Sequence, residues 1–225
     1  MTELRQFWQQ TFAILWKDVR CELRARQVWI SMGLFALLVL VVFNFAIDLR
    51  ATDASVVGPG ALWIAFVFAS ILGLGRTLTG EQQNGAFDRL LVCPVDRRAV
   101  YFAKLLGNLL FIGIVEVVAV PVFAALYNLP VAFGPLVPVV ALGTLGIAAI
   151  GTLFAAVAAN TRAREVLLPV LVFPLIVPVV IGAVKATQSL ITPDITNAPW
   201  LGLIAAFDVI FLSISAITFE YVIEE

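Results

Sequence analysis

The chain has 225 residues, 62% of them hydrophobic and 13% charged, with a formal net charge of -1 and a mean hydropathy of +1.04. A soluble domain carries about 25% charged residues, so a water-soluble protein is excluded and an integral membrane protein is implied. Histidine is absent and the only cysteines are Cys21 and Cys93, without a CxxC pair, which removes the commonest transition-metal ligand and the usual axial ligand of haem.

The first 26 residues are charged yet place Phe12, Leu15, Trp16, Val19 and Leu23 on one helical face, with Lys17, Arg20 and Arg24 elsewhere. That pattern predicts an amphipathic helix lying along the inner leaflet, with Trp8, Trp16 and Trp29 at headgroup depth. The alternative is an amphipathic helix packed on the rest of the protein. Six apolar runs follow, at 27–48, 55–76, 99–127, 135–160, 166–185 and 198–220, each meeting the roughly 20 residues a spanning helix needs. They are continuous rather than alternating, so they predict helices and not an outer-membrane barrel. The expected fold is therefore all-α, one transmembrane domain over 1–225 with six spans. The first run lacks a small-residue cleavage site, and span one is expected to stay.

Between spans two and three lies EQQNGAFDRLLVCPVDRRAVYFAK, residues 81–104. Ala86, Phe87, Leu90 and Leu91 form one apolar stripe, Gly85 loosens the start and Pro94 stops the helix. A short helix outside the bilayer needs something to cover such a stripe, which predicts a handle for a cytoplasmic partner. In span four, Gly143, Ile147, Gly151, Ala155 and Ala159 recur every fourth residue, a stripe of mostly small side chains that lets helices approach closely. Span five carries Pro169, Pro174 and Pro178, so it is expected to be kinked or broken and to face inward, either as a hinge or as plain packing.

Two acids fall inside spans, Glu116 in span three and Asp208 in span six. A carboxylate at a helix centre costs about 2.5 to 3.5 kcal/mol on insertion scales. With no cation at comparable depth, both are expected to be neutral groups hydrogen-bonded to neighbouring helices or across a subunit contact. Twelve of the fourteen basic residues fall on one side of the predicted spans, leaving Arg50 and Lys185 for the other; both termini are therefore expected in the cytoplasm. Cys21 and Cys93 then lie where thiols stay reduced, and neither a disulfide nor a metal site is expected. There is no phosphate loop, no GxGxxG after a strand and no Ser-His-Asp set. The expectation is a non-catalytic chain with no nucleic-acid partner.

The order Glu81, Gly85, Leu90-Leu91, Pro94 and Lys104 resembles the cytoplasmic coupling loop of type-2 ABC exporter permeases. KDVRCELRARQ at 17–27, GPGALWIAFVFASILGLGR at 58–76 and LLPVLVFPLIVPVVIGA at 167–183 extend the likeness over nearly the whole chain. Together they resemble the cytochrome c maturation protein B family, the permease subunit of the Ccm haem-handling ABC complex. The resemblance implies a bacterial inner-membrane or organellar protein paired with an ATPase subunit, CcmA, and with CcmC and CcmD, in a complex that uses ATP to release the haem-loaded chaperone CcmE. ATP would sit on CcmA and haem on partner subunits. A second copy of the chain is expected, because a half-size permease needs a second half. The competing readings are a type-2 permease exporting a lipid, glycan or drug, and a proton-coupled carrier working through Glu116 and Asp208. Such carriers usually carry internal repeats, and none is evident.

Overall fold

The computed structural model describes residues 2–46, 53–83, 95–159, 161, 164–192 and 198–222. Among them there are seven helices and no strand: α1 (Thr2–Ala25), α2 (Gln27–Ala46), α3 (Ala54–Gln83), α4 (Arg97–Tyr127), α5 (Phe133–Ala159), α6 (Arg164–Ile191) and α7 (Ala198–Val222). The last six are each long and apolar enough to cross a membrane. Even the shortest, the 20 residues of α2, measures roughly 30 Å at 1.5 Å per residue, the thickness of the hydrocarbon layer.

The junctions follow from local chemistry. Arg26 adopts φ 54° between α1 and α2, where its N–H still reaches the Glu22 carbonyl at 3.0 Å, so the chain turns within one residue. Asp53 opens α3, accepting from the Ser55 N–H at 2.8 Å, and that N–H holds its carboxyl below the usual range. Asp96 caps α4 in the same way, accepting from the Arg98 N–H at 2.8 Å. At the other end of α4, Asn128 takes the left-handed conformation (φ 50°, ψ 41°) and its N–H returns to the Ala124 carbonyl. Asparagine tolerates that conformation better than most residues, and Pro130, two positions on, cannot continue the helix.

The helix α5 lies at the centre, in contact with α3, α4, α6 and α7. Its neighbours fill the core with Trp63, Phe66, Tyr101, Phe123, Ile176 and Phe219, all nearly inaccessible. Lipid tails are as apolar as leucine, so close packing and interhelical hydrogen bonds, rather than water exclusion, hold such a bundle.

Two expectations need amendment. The helix of span two runs past residue 76 to Gln83, so Glu81 belongs to the end of α3 rather than to a separate short helix. Span five is not broken: α6 continues from Arg164 to Ile191 through Pro169, Pro174 and Pro178. Its buried line is Leu168, Val172, Ile176, Val179, Ala183 and Ala186. Pro174 is exposed and Pro169 and Pro178 are half-buried, flanking that line, so the packing face stays regular.

The helix α1 packs chiefly on α4. Thr11 and Ile14 are buried there, and the Phe7 and Phe102 rings meet edge to face at 5.9 Å. The stripe formed by Leu4, Trp8, Phe12, Trp16 and Leu23 stays exposed beside this contact, with the Arg20 guanidinium 4.9 Å over the Trp16 ring. One edge of α1 thus docks on protein while an adjacent apolar face is left for another medium.

Candidate functional site

The segment 84–94, with Gly85, Phe87, Leu90, Leu91 and Pro94, lies outside the described residues; what it connects to is described. It leads directly into α4, whose first residues are tied to α1. The Gln10 side-chain oxygen accepts from the Asp96 N–H at 3.3 Å. Two turns into α4, Lys104 is 6% exposed and its Nζ lies 2.7 Å from Asp18 Oδ2, while Lys17 Nζ reaches Asp18 Oδ1 at 3.0 Å. Glu22, one turn beyond Asp18, has its carboxyl pushed up by burial and by the Asp18 charge. The Arg98–Glu220 contact at 3.3 Å links α4 to α7 but is solvent-exposed on both sides, where such a pair is worth about 0–1 kcal/mol. Lys104–Asp18 differs, because removing one partner of a buried pair costs about 3–5 kcal/mol. The start of α4 and the middle of α1 are therefore joined by a buried ion pair as well as by packing.

Deeper in the bundle α4 is joined to α5 by a polar ladder. Asn108 Nδ2 donates to Thr152 Oγ1 at 2.9 Å, and the Thr144 hydroxyl donates to the Glu116 carboxyl. Asn108 and Glu116 are eight residues apart on one helix, as are Thr144 and Thr152 on the other, so the two bonds share one antiparallel register. The Tyr101 hydroxyl adds a third tie, to the Ala149 carbonyl at 3.2 Å.

The neighbouring face of α5 meets α3. Trp63 occupies the space a Cβ on Gly143 would take, and Leu74 does the same at Gly151. The Trp63 indole N–H donates to Thr187 Oγ1 at 2.9 Å, which carries the contact on to α6. Ile147 and Ala155, between and beyond the two glycines, are buried; Ala159 is the last residue of α5. The stripe thus packs helices within this subunit along its described length.

The two acids part company. Glu116 has its interhelical partner in Thr144, whereas Asp208, 2% exposed, has neither carboxyl oxygen bonded among the described residues. It lies against α5 at Gly146, where an added Cβ would come within 2.5 Å of Asp208 Oδ1. The bond to a neighbouring helix expected for Asp208 is absent among the described residues, and the position facing it on α5 carries no side chain.

Among the described residues no three His, Cys, Asp or Glu side chains gather into a metal-binding group, and Cys21 is free and exposed. Nothing described forms a nucleophile and base pair. The arrangement among the described residues is a set of ties that joins α4 to α1 on one side and to α5 on the other. Asp18, Thr144, Thr152 and Trp63 were not singled out from sequence. The matching eight-residue spacings of polar residues in two successive spans were the signal available.

A family model described as CcmB protein matches residues 9–224. Heme exporter protein B of Bradyrhizobium diazoefficiens is 30% identical over 203 residues, covering 90% of this chain and 91% of the relative. The protein of the same name in Rhodobacter capsulatus is 32% identical over 171 residues, 75% of this chain and 78% of that one. That of Paracoccus denitrificans is 30% identical over 177 residues, with 78% and 81% covered. With the match running through all six spans, the chain belongs to the CcmB protein family.

Proposed function

We propose that the chain is the non-catalytic membrane subunit of an ABC-type haem-handling complex in cytochrome c maturation, set in a bacterial inner membrane with both termini in the cytoplasm. It pairs with the ATPase subunit CcmA and with CcmC and CcmD, as two copies of itself. ATP stays on CcmA and haem on the partner subunits, and the work done is release of the haem-loaded chaperone CcmE. The observation that carries this reading is how α4, the helix that follows residues 84–94 in sequence, is tied to its neighbours: to α1 through the buried Lys104–Asp18 pair and to α5 through the Glu116–Thr144 and Asn108–Thr152 bonds. A push delivered to the start of α4 would pass to α1 and α5 through these contacts. Family membership and the similarity to proteins named heme exporter protein B support the haem part of the reading. The exposed stripe of α1 suits the headgroup layer, which accommodates tryptophan and a flanking basic face.

The test is replacement of both Phe87 and Leu91 by Asp in a cell lacking its own copy. The variant is expected to reach the membrane at the normal level yet fail to support cytochrome c maturation. Normal maturation would refute the assignment of the 84–94 segment as the coupling contact.

A further inference from the structure

A cavity of about 560 Å3 lies between α4 and α5, on the outer side of the polar ladder. Its walls are α4 residues 109–121 and α5 residues 133–145, taken at successive turns of each helix, and they are almost wholly apolar. Val117, Val137 and Phe133 stand at its rim, 74%, 64% and 53% exposed, which in a spanning bundle means that the cavity opens sideways to the hydrocarbon. The Thr144 hydroxyl on its wall donates to the Glu116 carboxyl, and among the described residues no basic side chain lines the cavity, so nothing in the wall would hold an anionic group. Gly113 lies in the wall, and a Cβ built there meets nothing within 4 Å.

The dimensions select the occupant. The walled stretch of α4 is roughly 18 Å long at 1.5 Å per residue, and the volume of about 560 Å3 is spread along it between two helices in contact. That makes a long, narrow slot, the shape of an extended hydrocarbon chain rather than of a whole helix about 10 Å across. We propose that this groove seats a single acyl chain of a bilayer phospholipid, its headgroup beside the α4–α5 turn at residues 128–132. Phe133 flanks the entrance, and the chain runs inward past Val137, Gly113 and Ala141. Seated there, the lipid fills the gap between the two helices that carry the Glu116–Thr144 bond and shields that bond. This site stands independently of the function proposed above.

The test uses the assembled complex in vesicles of phosphatidylethanolamine and phosphatidylglycerol containing a phospholipid with a photoactivatable diazirine on one acyl chain, with the adducts mapped by mass spectrometry. Labelling per residue on the groove walls should exceed severalfold that on the exposed ridge of α7 at Val209, Ile210, Ile214 and Ile217, which is open to lipid but unwalled. Gly113→Leu with Ala141→Leu should remove most groove labelling and leave the α7 ridge unchanged. Should the pair fail to insert, Gly113→Leu alone is read the same way. Equal labelling of groove and ridge, labelling that survives the plug, or an unlabelled groove covered by a partner's helix would each overturn the proposal.

Discussion

Gly143 meets Trp63 where a side chain would have to go, and Gly113 meets open space, so one substitution type should act with opposite signs at two glycines of neighbouring helices. Gly143→Ala forces the indole off its place and off Thr187; overpacking of this kind costs about 1–3 kcal/mol. Gly113→Ala only relieves the entropic cost of glycine in a helix, about 0.5–1 kcal/mol in favour of the variant. Thermal unfolding in detergent should separate them, and equal midpoints would show that the α3–α5 contact is not as close as described. The two acids also divide. Glu116→Gln keeps an oxygen for Thr144 and should be tolerated, while Glu116→Leu strands that hydroxyl at about 1–3 kcal/mol. Asp208→Asn should assemble normally, since no partner is lost. An Asp208→Asn complex that assembled but abolished cytochrome c maturation would establish a charge-dependent role instead. That Glu116, Asp208 and Gly143 mattered was legible in the sequence, because an acid in a span is costly without a reason and Gly143 opens a stripe of mostly small residues at every fourth position; Gly113 carried no such signal. What faced them was not: Thr144 and Trp63 lie 28 and 80 positions from Glu116 and Gly143, and side-chain spacing along one helix does not show which neighbour it meets.

At the scale of elements, the joint between α1 and α4 decides how force travels. Asp18→Ala leaves the Lys104 ammonium buried with its near partner gone and should cost about 3–5 kcal/mol. Combining it with Lys104→Met should recover part of that loss, because the double variant removes the buried ammonium together with its Asp18 partner. Hydrogen exchange of the α1 amides measures both, and a double variant no better than the single one would contradict the pairing. Glu22 adds a pH dependence whose sign is fixed. Its carboxyl is pushed up in the folded chain by burial and by Asp18, so the folded state holds the proton more tightly than the unfolded one. That contribution is full below the unfolded pKa and is lost as pH rises through the raised folded value. Protection of α1, corrected for intrinsic exchange, should therefore fall as pH rises toward neutrality, and Glu22→Gln should remove the fall. The amphipathic pattern of α1 was readable from residues 12 to 23, but its docking edge was not, because Phe7, Thr11 and Ile14 are too sparse to stand out beside the Trp16 stripe. In α6 three prolines argued for a kink or a break; the helix is unbroken, with the prolines flanking the buried line.

For the whole molecule, six spans were legible because apolar runs of bilayer length leave few alternatives, and the centrality of α5 was hinted at by its small residues. The sidedness rests on the asymmetry of basic residues, twelve against two. A cysteine at Ala54 should react with an impermeant thiol reagent from outside the cell and one at Arg98 should not, while the reverse pattern would invert the topology. The central claim is that residues 84–94 are the contact through which a partner ATPase moves α4, and hence α1 and α5. The most direct measurement places a cysteine at Phe87 and carries out short-range cross-linking in the intact complex with and without ATP. The account predicts a cross-link to the ATPase subunit whose yield changes with nucleotide, and a complex that co-purifies with its ATPase yet gives no such cross-link in either state would contradict it.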